Sequence, residues 1–89
     1  MKDNFKLEII SPERIFFSDD VKMVTLPSYE GDMSILKYHI SIITFLRPGI
    51  IKVQKNDENF INFFVQDGTV EYFNDSLIIP GLKKVIIEI

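Results

Sequence analysis

The side chains with the means to do chemistry gather in one stretch, Pro27-Ser28-Tyr29-Glu30-Gly31-Asp32-Met33-Ser34-Ile35-Leu36. The sole histidine, His39, lies just beyond it, and Leu46-Arg47-Pro48-Gly49 follows. Glu30 and Asp32 flank Gly31, and in an extended segment residues two apart project to the same side. Two carboxylates side by side invite a cation, either a metal ion or a partner's Arg or Lys. The plainer reading is a solvated loop tip. His39 is the one side chain that ordinarily titrates near neutrality, which admits acid–base work, pH sensing or a structural contact. Catalysis would need a second group in a matched position, and the spacing offers neither a Ser–His–Asp nor a Cys–His arrangement. A metal site would require further His or Cys, and the chain has none. Arg47-Pro48-Gly49 could face an anion, although a turn with an outward Arg is the simpler assignment. No G-x-x-x-x-G-K-[ST] phosphate cradle occurs. No catalytic residue, metal or cofactor is expected.

The elements that must position this stretch are strands. The chain has 89 residues, enough for one domain with a small core. It holds fifteen Ile, six Val and eight Phe but no Ala. β-branched and aromatic side chains suit a pleated surface, while Ala is the best helix former. An all-β domain follows. Cysteine is absent, which excludes disulfides and thiolate metal sites. A net charge of −3 leaves no basic footprint for nucleic acid. The N-terminus is polar, with no signal-peptide apolar core behind it. Apolar runs such as 40–46 fall far short of the roughly twenty residues a spanning helix needs. Membrane association would therefore go through a partner.

Along the chain, Phe5–Ile10 alternates as a first strand and Ser11-Pro12-Glu13 breaks it. Ile15-Phe16-Phe17 reads as a short strand stopped by Ser18-Asp19-Asp20. Val21–Leu26 alternates again, with Val21, Met23 and Thr25 on one face. The segment Ser28–Lys37 shows no strand pattern and reads as a loop. Strands follow at Ile40–Leu46, Ile50–Lys55, Phe60–Gln66, Thr69–Phe73 and Ser76–Ile79, with turn residues between them. Lys83–Ile89 could add another. Eight or nine short strands at regular spacing predict a single-domain sandwich or flattened barrel. The expected buried residues include Phe5, Leu7, Ile9, Met23, Ile42, Val53, Phe64 and Ile78. One member of each pair Phe16-Phe17 and Phe63-Phe64 should enter the core, leaving the other to face a partner.

The segment from Pro27 to Gly49 resembles the epsilon subunit of rotary ATP synthases, called delta in mitochondria. That family's usual pattern is P-x-x-E-G-[ED]-x-G-[IV]-L-P-x-H-A-P, then T-x-[LI]-[KR]-P-G. Ser34, Lys37, Tyr38, Ile40 and Ser41 stand where the loop usually has other residues, two of them prolines. The resemblance runs over about residues 5–79, through Ser11-Pro12-Glu13, Phe17-Ser18, Phe64-Val65-Gln66-Asp67-Gly68 and Glu71 before Leu77-Ile78-Ile79. It implies a ten-stranded β-sandwich over 1–89, with the two-helix hairpin of most members absent after Ile89. It further implies a non-catalytic rotor subunit that links the gamma subunit to the c-ring and couples proton flow to ATP synthesis. Glu30, Asp32 and His39 would then face the c-ring, whose polar loops carry a basic residue, while Ser11 and Thr44 would lie nearer gamma. The implied location is peripheral, on the cytoplasmic face of a bacterial inner membrane or the matrix side of the mitochondrial one. The rival expectation is an unrelated β-sandwich that binds a peptide or carbohydrate, since sandwich folds serve many functions.

Overall fold

A computed structural model describes residues 3–80 and 85–88. Its described residues form ten strands. They are β1 (Phe5–Ile10), β2 (Ile15–Val21), β3 (Met23–Ser28), β4 (Gly31–Leu36), β5 (Ile42–Leu46), β6 (Gly49–Gln54), β7 (Phe60–Val65), β8 (Gly68–Phe73), β9 (Ser76–Ile79) and β10 (Val85–Glu88). The strands hydrogen-bond in the order β10-β7-β6-β3-β5-β8-β9-β1-β2, and β4 pairs off this path with β3. Neighbours are antiparallel except β1 and β9, which run parallel from Lys6↔Ser76 to Ile9↔Ile79.

The sheet folds over on itself because the chain turns a corner at Lys22. Val21 closes β2 opposite Phe5 on β1, and Met23 opens β3 opposite Gln54 on β6. The Lys22 N–H donates to the Gln54 carbonyl at 2.8 Å, so one residue carries the chain from one layer to the other. Strands that switch layers in this way make the corners of a sandwich. Around the corner, Lys55 pairs with Asp19 at 2.9 Å and Lys22 with Asp57. The Phe17 and Phe63 rings meet edge to face, 5.4 Å apart.

Alternation then fills the space between layers. Phe5, Leu7 and Ile9 of β1, Val24 and Leu26 of β3, Ile51 and Val53 of β6, Val70 and Tyr72 of β8, and Leu77 and Ile79 of β9 are all buried. Of the expected core, Phe5, Leu7, Ile9 and Val53 are therefore inside. Met23, Ile42 and Ile78 are only half-buried, and Phe64 is 49% exposed while Phe63 takes the interior place. The physical reason differs between sites. At Met23 the Lys22 corner resets the phase, so that Val21 and Val24 point inward rather than Val21 and Met23. In Phe60–Val65 both faces carry phenylalanine, and Phe63 goes inward with Ile61 and Val65, opposite Ile51, while Phe64 shares the outer face with Phe60 and Asn62.

Two further expectations are corrected. Ser18-Asp19-Asp20 does not stop a strand, because β2 continues through it, with Asp19 and Asp20 exposed and pairing with Leu7 and Lys6. The Ser28–Lys37 segment is mostly strand: Gly31–Leu36 forms β4 and pairs with all of β3, from Ser28↔Gly31 to Met23↔Leu36. Its residues alternate exposed and inward around a single fully buried Ile35, too few apolar positions to show a strand period. Within Lys83–Ile89, the strand Val85–Glu88 is present, and the remaining residues lie outside the described ones.

Candidate functional site: a pinned acidic hairpin tip

The β3–β4 hairpin turns at Tyr29-Glu30. Gly31 completes the turn with φ of 113°, a conformation that L side chains rarely adopt. Ser28, fully buried just before the turn, shares a hydrogen bond with the Thr44 hydroxyl at 3.0 Å. The Ser28 Oγ also accepts from the Glu30 N–H at 3.1 Å. Across the gap to β5, the Tyr29 N–H donates to the Phe45 carbonyl at 3.2 Å and the Arg47 N–H to the Pro27 carbonyl at 2.9 Å. The Arg47 side chain then reaches back twice: Nε donates to the Ser28 carbonyl at 3.2 Å, and Nη2 to Asp32 Oδ1 at 2.5 Å. Gly49 is part of the same seam, since a Cβ there would sit 2.9 Å from the Pro27 Cβ. Sequence and packing together thus hold the tip against the neighbouring β5–β6 turn.

The acids of the tip consequently differ. Asp32 is engaged by Arg47 within the chain. Glu30 is exposed, and its carboxylate accepts only a long 3.5 Å contact from the Thr44 hydroxyl among the described residues. His39 is not with them. It follows β4 at the opposite end of a six-residue strand, a span of about 20 Å. There its ring packs edge to face on Tyr72, 5.7 Å away, and Nδ1 lies 2.7 Å from the Ile40 carbonyl oxygen.

That far end has a network of its own. Asn74 and Asp75, with φ of 52° and 59°, make the two-residue turn between β8 and β9, the form whose twist matches paired strands. Asp75 Oδ1 accepts from the Tyr38 N–H at 2.9 Å and from the Tyr72 hydroxyl at 2.8 Å. These donors, the Tyr38 amide first, hold the Asp75 carboxyl below its ordinary range. Burial, and then the bond to Asp75, pushes the Tyr72 hydroxyl up to about 12. Tyr38 itself adopts φ of 67°, which is uncommon for a bulky residue; the Asp75 bond holds it there.

Ser11 and Thr44 are not neighbours either, because β8 and β9 lie between their strands. The Ser11 hydroxyl organises the β1–β2 turn, accepting from the Arg14 and Glu13 amides at 3.2 and 3.3 Å. Thr44 faces inward, and its sequence neighbours Ile43 (76% exposed) and Phe45 (61%) face out. With Tyr29 and Phe73, also exposed, they place apolar side chains on the outer face of β5 and β8, where exposed Glu71 lies opposite Ile43 and Thr69 opposite Phe45. The other layer shows a second apolar row, Ile50, Phe64 and Ile86, in register across β6, β7 and β10. Arg47 as partner of Asp32, and the Tyr72–Asp75 bond, had no signal in the sequence. The inward placement of Thr44 did have one, since it shares the phase of buried Leu46.

No group of three or more His, Cys, Asp or Glu able to hold a metal occurs among the described residues. What these features define is an all-β sandwich with a braced acidic hairpin at one end and exposed apolar side chains on the sheet beside it. The chain belongs to the family described as ATP synthase, Delta/Epsilon chain, beta-sandwich domain, whose family model matches residues 4–80. The ATP synthase epsilon chain of Pelagibacter ubique (strain HTCC1062) is 52% identical over 79 residues, covering 86% of this chain and 59% of that one. The epsilon chain of Parvibaculum lavamentivorans is 39% identical over 71 residues, covering 80% of this chain and 54% of that one. The chain thus spans little more than half the length of these curated relatives. In fold it matches a chain of the Euglena gracilis mitochondrial ATP synthase (OSCP/F1/c-ring) with a TM-score of 0.87 at 17% identity, covering 94% of this chain and 53% of that one. A chain of the Tetrahymena thermophila mitochondrial ATP synthase central stalk and c-ring gives 0.76 at 15% identity, over 91% of this chain and 64% of that one.

Proposed function

We propose that this chain is the epsilon-type component of an ATP synthase rotor, a non-catalytic module that links the gamma subunit to the c-ring so that proton-driven rotation reaches the catalytic head without slip. The observation that carries the reading is the family match over 4–80, which includes the hairpin with its acids and Arg47. Transmission of torque asks for stiffness and two contact surfaces rather than acid–base chemistry. The doubly tethered tip and the exposed apolar side chains of β5 and β8 suit that task. Glu30 and Asp32 face the ring in this reading. The gamma contact in this reading extends across the sheet from Ser11 to Thr44, with Ile43 and Phe45 supplying apolar area around the inward Thr44. The module is peripheral, held through the complex on the cytoplasmic face of a bacterial inner membrane or the matrix side of a mitochondrial one. No observation favours a peptide- or carbohydrate-binding module.

The test is binding of the parent and of Glu30→Gln/Asp32→Asn to isolated c-ring across a salt series. Exposed charge pairs contribute about 0–1 kcal/mol each, so the double variant should bind up to about thirtyfold more weakly at low salt. The two proteins should converge as salt rises, because such charges are screened within about 10 Å at 0.1 M. Equal binding at low salt would refute the ring-facing assignment.

A further inference from the structure

We propose that the two acids of the hairpin tip have separate roles: Arg47 and Asp32 form a latch that positions the tip, and Glu30 alone presents charge to a partner. This rests on the reading above only for the identity of that partner. Glu30 and Asp32 look equivalent in sequence, two residues apart around Gly31. In the fold they are not. Arg47 spends its fork on the tip, one nitrogen on the Ser28 carbonyl at 3.2 Å and another on Asp32 at 2.5 Å. A planar guanidinium presents its donors in a fixed fork, so it meets a carbonyl and a carboxylate in one held geometry, whereas an ammonium is a point charge on a flexible stem. The main chain repeats the connection through Arg47 N–H to Pro27 and Tyr29 N–H to Phe45. The hairpin is therefore tethered to the β5–β6 turn from both of its strands. Asp32 is neutralised in place, and the charge left at the tip belongs to Glu30.

The consequence is a division of effects. Removing Glu30's charge changes how binding responds to salt and leaves the tip rigid. Removing Asp32's charge or Arg47's fork loosens the tip.

Amide hydrogen exchange on the 89-residue chain reads the latch without any partner. Arg47→Gln and Asp32→Asn should each speed exchange at Tyr29, Glu30 and Arg47 about two- to fivefold, with amides of β1 and β7 unchanged. Glu30→Gln should leave all of them unchanged. Arg47→Lys, which keeps the charge without the fork, should fall between Arg47→Gln and the parent. Unaltered exchange in both Arg47→Gln and Asp32→Asn would overturn the latch. Binding to isolated c-ring then tests positioning. Glu30→Gln should flatten the salt dependence, whereas Arg47→Gln/Asp32→Asn, which removes the ion pair without changing the tip's net charge, should weaken binding severalfold with the parent's salt slope. An Arg47→Gln/Asp32→Asn slope as flat as that of Glu30→Gln would overturn the division of roles. If the parent fails to bind the ring while exchange responds as expected, the partner reading falls and the latch stands.

Discussion

The phase of β7 admits a decisive perturbation, because two adjacent phenylalanines sit on opposite faces of one strand. Phe63 is 1% exposed, packs edge to face on Phe17 at 5.4 Å and lies opposite Ile51. Its truncation to Ala removes a whole core ring, a change that costs about 3–5 kcal/mol. About 0.5–1.5 kcal/mol of that reflects the ring pair. Phe64 is 49% exposed and faces outward between Ile50 and Ile86. Full burial of a Phe side chain stabilises by about 1.5–3 kcal/mol, so half-burial leaves about 1 kcal/mol to lose in Phe64→Ala. An 89-residue domain has a total stability of about 4–13 kcal/mol, so Phe63→Ala can approach complete unfolding. Phe63→Leu, which costs about 1–2 kcal/mol, keeps the comparison measurable. Urea unfolding followed by circular dichroism at 25 °C is the assay. The midpoint should fall in the order Phe64→Ala or Phe63→Leu first and Phe63→Ala far beyond, with a constant m-value. Each kcal/mol corresponds to about 4–8 °C in melting temperature for a chain of this size. Should Phe64→Ala cost as much as Phe63→Ala, the register of β7 is wrong by one residue and every inward side chain on it changes face.

The Tyr72 hydroxyl sits at about 12 when folded against an ordinary 10.0. The unfolded chain therefore ionises first, and stability is full below pH 10 and lost as pH rises toward 12. Two pKa units correspond to about 2–3 kcal/mol, so Tyr72→Phe should show a shallower alkaline loss in urea midpoints measured from pH 9 to 11.5; parallel curves would contradict the buried hydroxyl. Asp75 has the opposite sign. Its lowered carboxyl, held by the Tyr38 amide and then Tyr72, adds stability above its ordinary 3.8 that disappears as pH falls through the folded value. Asp75→Asn should flatten that part of the acid limb, and identical acid limbs would count against the network. Gly49→Ala drives a Cβ to 2.9 Å from the Pro27 ring, and overpacking of this kind costs about 1–3 kcal/mol by thermal melting. A neutral outcome would mean that the seam yields.

How much of the site was legible follows from what a sequence period can carry. The acids, the histidine and Arg47 were all visible as chemistry, and the family pattern around them was readable residue by residue. Their separation was not. Distance along the chain says nothing about direction, and a segment with one buried residue, Ile35, hides the strand that carries His39 away from Glu30. The partner of Arg47 likewise came from the approach of two turns distant in sequence, which no local pattern encodes.

The sequence by itself determined that this is a β protein: no Ala, many Ile, Val and Phe, and turn residues between short alternating runs. It also determined the inward face of β1, because Lys6 and Glu8 leave Phe5, Leu7 and Ile9 a single choice. Tertiary structure decided the rest wherever both faces were apolar or the chain changed layer. Phe63 over Phe64, Val24 over Met23, and Leu77 with Ile79 over Ile78 were settled by the strands opposite them and by the Lys22 corner. The parallel pairing of β1 with β9 joins segments some seventy residues apart. A period of two fixes alternation along a strand, but its phase and its neighbours are properties of the whole sheet.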